Sequence, residues 1–270
     1  LSEQVLMNGE RVRDALPLRT LFYGEGVFET FRFRSGMPVF FDRHIERMRK
    51  GAELLSIPLP EANSITDAVL SAVSESGLSD MYVKVCLVSA GNSLFYKNAD
   101  KTRTIVIIKK YEVVNGPAKA SVCSFSRNSK SPLVRIKSLN YLENILARRE
   151  AMDSGFDEAL FLNERDEITE GSASNIFWVS DGTLFTPSLG CGVLPGIIRG
   201  VLMEQASDMG LQVEEGGFTI TDLAESDFAF FTNSLAGVRE LAKINETHLS
   251  VDSHLSSLIK EKLFGLLKWS

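Results

Sequence analysis

Strand-forming and helix-forming segments alternate irregularly along this chain, and that irregularity restricts its architecture more than any other feature. Runs rich in β-branched and aromatic residues stand at 82-YVKVCLVS-89, 103-RTIVIIKKYEV-113, 119-KASVCSFS-126, 158-EALFLN-163, 176-IFWVS-180 and 228-FAFFTN-233. Bounded by Gly, Pro, Asn and Ser, they read as strands. The segment 26-GVFETFRFR-34, the turn Ser35-Gly36 and 37-MPVFF-41 read as a β-hairpin, and Asp181-Gly182 turns a second strand into 183-TLFTP-187.

Helical patterns interrupt these runs at uneven intervals. Asp42 is expected to cap DRHIERMRKGAELLSI, in which Ile45, Met48, Ala52 and Leu55 recur every three or four residues, with Pro58 and Pro60 as the stop. Further helices are expected over about 64–76, closed by Gly77, over 141–154, closed by Gly155, from Ile197 to Met209, and from about 252. No regular βαβ order emerges, so the fold class is mixed α/β (α+β). A chain of 270 residues accommodates two units. The break at 115-NGPA-118 divides it into a small N-terminal α/β domain over 1–114 and a larger C-terminal β-rich α/β domain over 115–270.

Composition removes several function classes. A net charge of −6 lacks the basic footprint of a nucleic-acid binder, yet local arginines can hold small anions. Three scattered cysteines (Cys86, Cys123, Cys191) and three histidines (His44, His248, His254) support neither a disulfide framework nor a metal site, and fit a reduced, cytoplasmic setting. The opening LSEQVLMNGERV has no basic segment followed by an apolar stretch, so it does not read as a signal peptide. No apolar run approaches the roughly 20 residues of a membrane helix.

Gly24-Glu25-Gly26 and Gly190-Cys191-Gly192 each fail the dinucleotide-binding spacing. Three other features gain weight together. Pro195-Gly196 leads into a helix whose first N–H groups lack intrahelical partners and can hold a phosphate. Glu170, in 168-ITEGSASN-175, is a carboxylate at a strand end. Lys137, in 135-RIKSLNYLEN-144, follows apolar Ile136 just before a helix. Taken singly, these are a helix entry, a turn glutamate and a surface lysine. As a set they match pyridoxal 5'-phosphate: a lysine for the aldehyde carbon, a carboxylate for the ring nitrogen, a helix end for the phosphate.

With those residues in view, the chain resembles the class IV (fold-type IV) pyridoxal-phosphate-dependent aminotransferase family, closest in pattern to its aminodeoxychorismate lyases. The marks are 23-YGEGVFETFR-32, 44-HIERM-48, 137-KSLNYLENILARREA-151, 157-DEALFLN-163, 168-ITEGSASNIFWV-179, 194-LPGIIRG-200 and 228-FAFFTNSLAGV-238. The resemblance implies that Lys137 is the Schiff-base residue, Glu170 pairs with the pyridine nitrogen and Arg47 binds the phosphate. It implies that Leu194 lies against the ring, that the amides of Ile197 and Ile198 and the Ser234 hydroxyl hold the phosphate, and that Tyr141 reaches the phenolate. Thr30 matches a threonine suggested as a proton relay.

The implied activity is an aminodeoxychorismate lyase, yielding 4-aminobenzoate and pyruvate. The alternatives are an aminotransferase for branched-chain or D-amino acids and a cofactor-binding member without turnover. The segment 232-TNSLAGV-238 is similar to the lyases, while Ala90 stands where D-amino-acid aminotransferases carry an arginine. An anionic small-molecule substrate is expected, with Arg32, Arg34, Arg127 and Arg239 as candidate partners for its carboxylates. The resemblance also implies a homodimer with the site near the interface, and neither nucleic acid nor membrane as a partner.

Overall fold

The computed structural model describes residues 6–7, 10–11, 17–34, 36, 38–61, 63–91, 94, 96–251 and 254–269. Near the N-terminus, β1 (Leu6–Met7) pairs with β2 (Glu10–Arg11), and α1 (Leu18–Tyr23) follows. A three-stranded antiparallel sheet comes next, built from β3 (Gly26–Arg34), β4 (Asp80–Ala90) and β5 (Lys101–Lys110) in that order. Side chains of a strand alternate between faces. Val27, Phe31 and Phe33 of β3 therefore join Met81, Val83, Val85 and Leu87 of β4 in one core, under α2 (Phe41–Leu54) and α3 (Ser64–Ser76). The other face presents Phe28 and Thr30 beside Tyr82 and Lys84.

The expected hairpin is not formed. β3 pairs along its whole length with β4, from Gly26↔Val88 to Arg34↔Asp80, and residues 39–40 form a turn that leads into α2 at Phe41. Pro38 has no N–H for a ladder, and Phe41 stacks edge-on against Phe31 at 5.5 Å inside the core. Asp42 lies in the first turn of α2 and is not its cap; position Phe40 makes no side-chain capping bond. The helix stops at Leu54, ahead of both prolines. Ser35 and Met37 lie outside the described residues.

The second sheet begins with β6 (Ala118–Val122), shorter than the expected 119–126. After it come α4 (Leu142–Asp153), β7 (Glu158–Leu162), β8 (Ile168–Gly171), β9 (Asn175–Ser180), β10 (Thr183–Pro187), α5 (Ile197–Gln205) and β11 (Gln212–Gly216). The chain closes with α6 (Ile220–Ala224), β12 (Phe228–Asn233), β13 (Gly237–Ile244), β14 (Thr247–His248) and α7 (His254–Leu267). The strand order is β11-β10-β9-β12-β13-β6-β7-β8, with β14 on β13. Pairs β10–β11, β13–β6 and β6–β7 are parallel and the rest antiparallel, which makes a mixed sheet.

Both faces of the central strands are buried, which accounts for their continuous apolar runs. Phe177, Val179 and Phe230 pack against Ile198, Val201 and Leu202 of α5 and Ile259 and Leu263 of α7. Ile176, Trp178, Ala229 and Phe231 fill the opposite core with Leu223 of α6. The predicted 197–209 helix is α5 followed by a 3-10 turn, Ser207–Met209, closed by Gly210 in the left-handed region. Among the described residues, no helix is long and apolar enough to cross a membrane.

Candidate active site

A cavity of about 300 Å³ opens between the site-facing side of the small sheet and one end of the large one. Its wall includes all nine residues singled out from sequence: Thr30, Arg47, Lys137, Tyr141, Glu170, Leu194, Ile197, Ile198 and Ser234. They come from β3, α2, the segment before α4, β8, the entry to α5 and the loop after β12.

Lys137 is fixed by backbone pairing. Its carbonyl accepts a bond from Phe28 N at 2.8 Å, Leu139 N donates to Gly26 O at 2.9 Å, and Ser138 bridges Val27. The segment thus runs as a short extra rung against β3 and turns the lysine side chain into the cavity. Asn140 Nδ2 donates to Gly24 O at 3.0 Å. Gly24 has φ +63°, and a Cβ there would lie 2.6 Å from Asn140 Oδ1, so the close approach requires glycine. Neither Ser138 nor Asn140 caps α4, whose N-cap position is Tyr141 without a capping bond. The Lys137 amine lies 4.6 Å from the Phe28 ring centroid and 5.3 Å from that of Tyr141. Burial first, then the Arg47 guanidinium, lowers its pKa to about 8.

Glu170 is buried on the cavity wall. Its Oε1 accepts from Arg127 Nη1 at 2.5 Å, and its Oε2 accepts from Asn175 Nδ2 and Leu194 N, each at 3.0 Å. Burial pushes its carboxyl up; the largest opposing effect is Arg127. Tyr141 donates its hydroxyl to Ser172 O at 3.1 Å, which holds the phenol at the cavity edge, and burial pushes its pKa up.

The opposite end is arranged for an anion. Arg47 is held by Glu29 through two bonds of 2.7 Å, and its Nη1 donates to Pro195 O at 2.9 Å. Buried Glu29 also meets His44 Nδ1 at 2.6 Å. Despite burial, those two partners bring its pKa down to about 2. Gly196 precedes α5 with extended backbone, leaving the first amides of α5 pointed at the cavity end. A Cβ on Gly196 would lie 1.8 Å from Asn175 Oδ1. The Thr232 hydroxyl is buried on this wall with no hydrogen-bond partner.

Sequence reasoning missed Tyr82 and Lys84, although strand parity carried the signal. Lys84 is the cross-strand partner of Thr30 and faces the cavity with its amine 4.2 Å from the Phe28 centroid. Tyr82 shares a hydrogen bond with Thr30. The four candidate arginines lie elsewhere. Arg32 is bound to Asp80 at 2.7 and 2.5 Å and covers the Tyr111 ring, and Arg34 donates to Trp269 O. Arg239 reaches Gly116 O at 3.2 Å and Asp157 at 3.4 Å, while Arg127 sits behind Glu170.

These residues fit pyridoxal 5'-phosphate. The unpartnered Thr232 hydroxyl, the Arg47 guanidinium and the α5 amides have the chemistry that a phosphate cradle requires. At the other end a buried carboxylate retains an acceptor position, and between them stands a buried amine of depressed pKa.

Comparison with known proteins identifies the family. The family described as amino-transferase class IV matches residues 26–244. The aminodeoxychorismate lyase of Bacillus subtilis (strain 168) is 32% identical over 238 residues, covering 86% of this chain and 81% of the relative. The branched-chain-amino-acid aminotransferase of Pseudomonas aeruginosa is 30% identical over 241 residues, covering 84% and 78%. Among solved structures, a Legionella pneumophila chain provisionally named 4-amino-4-deoxychorismate lyase superposes with a TM-score of 0.89 at 27% identity, covering 94% of this chain and 96% of that one.

Proposed function

We propose, from the premise that this chain belongs to the class IV aminotransferases, a family of pyridoxal-phosphate enzymes, that it is an aminodeoxychorismate lyase. The reaction converts 4-amino-4-deoxychorismate to 4-aminobenzoate and pyruvate. The observation that carries this reading is the cavity wall supplied by the small sheet. There, Lys84 and Thr30 are cross-strand partners and supply a cation and a hydroxyl to a substrate with two carboxylates.

Bound pyridoxal phosphate supplies an aldehyde for covalent attachment and a protonated ring that takes up negative charge. Arg47, the amides of Ile197 and Ile198, Ser234 and Thr232 hold its phosphate. Leu194 would support the ring, and Tyr141 would meet its phenolate. Glu170 keeps the ring nitrogen protonated. Lys137 Nζ would hold the aldehyde carbon. As a free amine, Lys137 Nζ would serve as the base for the substrate proton beside the amino nitrogen. Thr30 is placed to relay a proton to the departing enolpyruvyl group, and Lys84 orients the substrate carboxylate. Aromatisation favours the elimination.

A branched-chain aminotransferase is the second reading, supported by the 30% identical relative. In that case Lys137 would serve as acid as well as base. The test is a coupled pyruvate assay on purified holoenzyme with aminodeoxychorismate. Pyruvate released without any keto-acid acceptor is the expected result; release only with an acceptor, or none, rejects the lyase.

A further inference from the structure

Arg127 was a candidate for substrate carboxylates, and the structure gives it a different position. It is buried against Glu170 and does not line the cavity to which Arg47 contributes. Its backbone N donates to Leu162 O at 2.8 Å, and its guanidinium lies flat on Phe161, 3.9 Å from the ring centroid. One Nη1–H meets Glu170 Oε1 at 2.5 Å. Its Nε, 3.5 Å from Glu143, is buried without a hydrogen-bond partner. A buried donor left unsatisfied has a real cost, so this arginine is held at Glu170 against that cost.

A carboxylate offers about four lone-pair sites. On Glu170 three are filled: one by Arg127, one by Asn175 and one by the Leu194 amide. One site on Oε1 remains. Lys137, Tyr141, Arg47, Tyr82 and Lys84 are the other titratable groups lining the same cavity. Arginine cannot surrender its proton to a carboxylate.

We propose that Arg127 is a positioning residue that keeps Glu170 anionic and aims its free lone pair into the cavity. This rests on the reading that Glu170 faces the protonated ring nitrogen. One proton is then shared between Glu170 and that nitrogen. A fixed cation on the carboxylate side biases the proton toward the ring. Without it, burial favours the neutral pair, with the proton on Glu170 and an uncharged ring that is a poorer electron sink.

The test has two arms. In the cofactor-free full chain at neutral pH, infrared difference spectra between each protein and its E170Q counterpart isolate the Glu170 band. Wild type and R127K are expected to show carboxylate bands only, and R127M a protonated-carboxyl band. In the holoenzyme, R127M is expected to lose about 10–100-fold in kcat with KM unchanged, the usual scale for a supporting partner, and R127K to recover most of it. R127M without the protonated band, or with wild-type kcat, overturns the proposal, as does a protonated Glu170 in wild type. If R127M does not fold by circular dichroism, R127Q carries the same test. A wild-type chain that takes up no pyridoxal phosphate would instead count against the site reading, while the infrared arm still decides Arg127.

Discussion

Lys137 shows how far its surroundings change a single residue. In solution its amine would titrate at the ordinary lysine value of 10.5; in the cavity, burial and Arg47 bring it to about 8. The lowered value means that the reactive, neutral amine accumulates as pH rises through about 8. Stopped-flow absorbance should therefore show pyridoxal phosphate attaching to the cofactor-free chain at a rate that climbs with pH and is half-maximal near 8. A midpoint near 10.5 would mean a solvated amine. Borohydride reduction and peptide mapping should place the label on Lys137 alone. The roles of Lys137 and Glu170 were legible because short motifs surround each. Lys84 was legible in principle from its parity with Tyr82. Arg127 was not, because its partner lies 43 positions away and only the folded chain brings them together.

At the scale of elements, Glu29 is a latch. It sits on β3 and grips His44 and Arg47, one turn apart on α2. Its pKa of about 2, against an ordinary 4.5, means that the folded state prefers it ionised. That preference stabilises the fold fully above about pH 4.5 and disappears as pH falls toward 2, an effect of about 3 kcal/mol. Urea titrations from pH 5 to 2 should show the midpoint falling for wild type and a flatter profile for E29Q; identical slopes would remove Glu29 as the cause. Elements with strong periodicity or firm punctuation were readable, as in α3, found over 64–76 and closed by Gly77 in the left-handed region. β11 and β13 were not. The first is QVEEG, with polar side chains and little burial, and the second interrupts its apolar residues with Arg239, Glu240 and Lys243. The hairpin was misread because residues 38–41 carry strand-like composition while Phe41 is needed in the core of the small sheet.

At the scale of the whole molecule, strand order was beyond sequence reasoning. β6 lies parallel to β13, so Ala118 pairs with Leu241, and alternation of side chains says nothing about which distant strand is the neighbour. The exposed apolar residues raise a further point. Leu142, Ile145, Leu146 and Met152 form one stripe on α4, directly after the Lys137 segment, and α1 exposes Leu21 and Phe22. We propose that a second copy of the chain covers them. Sedimentation equilibrium at micromolar concentration should give two chains per particle for wild type and a shift toward one for L146E. A wild-type monomer would reject this arrangement.

The backbone bond from Arg32 N to Ser234 O, 3.0 Å long, ties the first strand of the small sheet to the loop after β12. The cavity consequently draws its walls from positions 28 to 235. During synthesis on the ribosome, Lys137 emerges nearly a hundred residues before Ser234, as an ordinary solvated amine with little appetite for aldehydes. Its surroundings are complete only when the residues after Gly192 have joined β3, α2 and Tyr141 around it. A product truncated before Leu194 carries the lysine without the cavity walls that Leu194, Ile197, Thr232 and Ser234 supply.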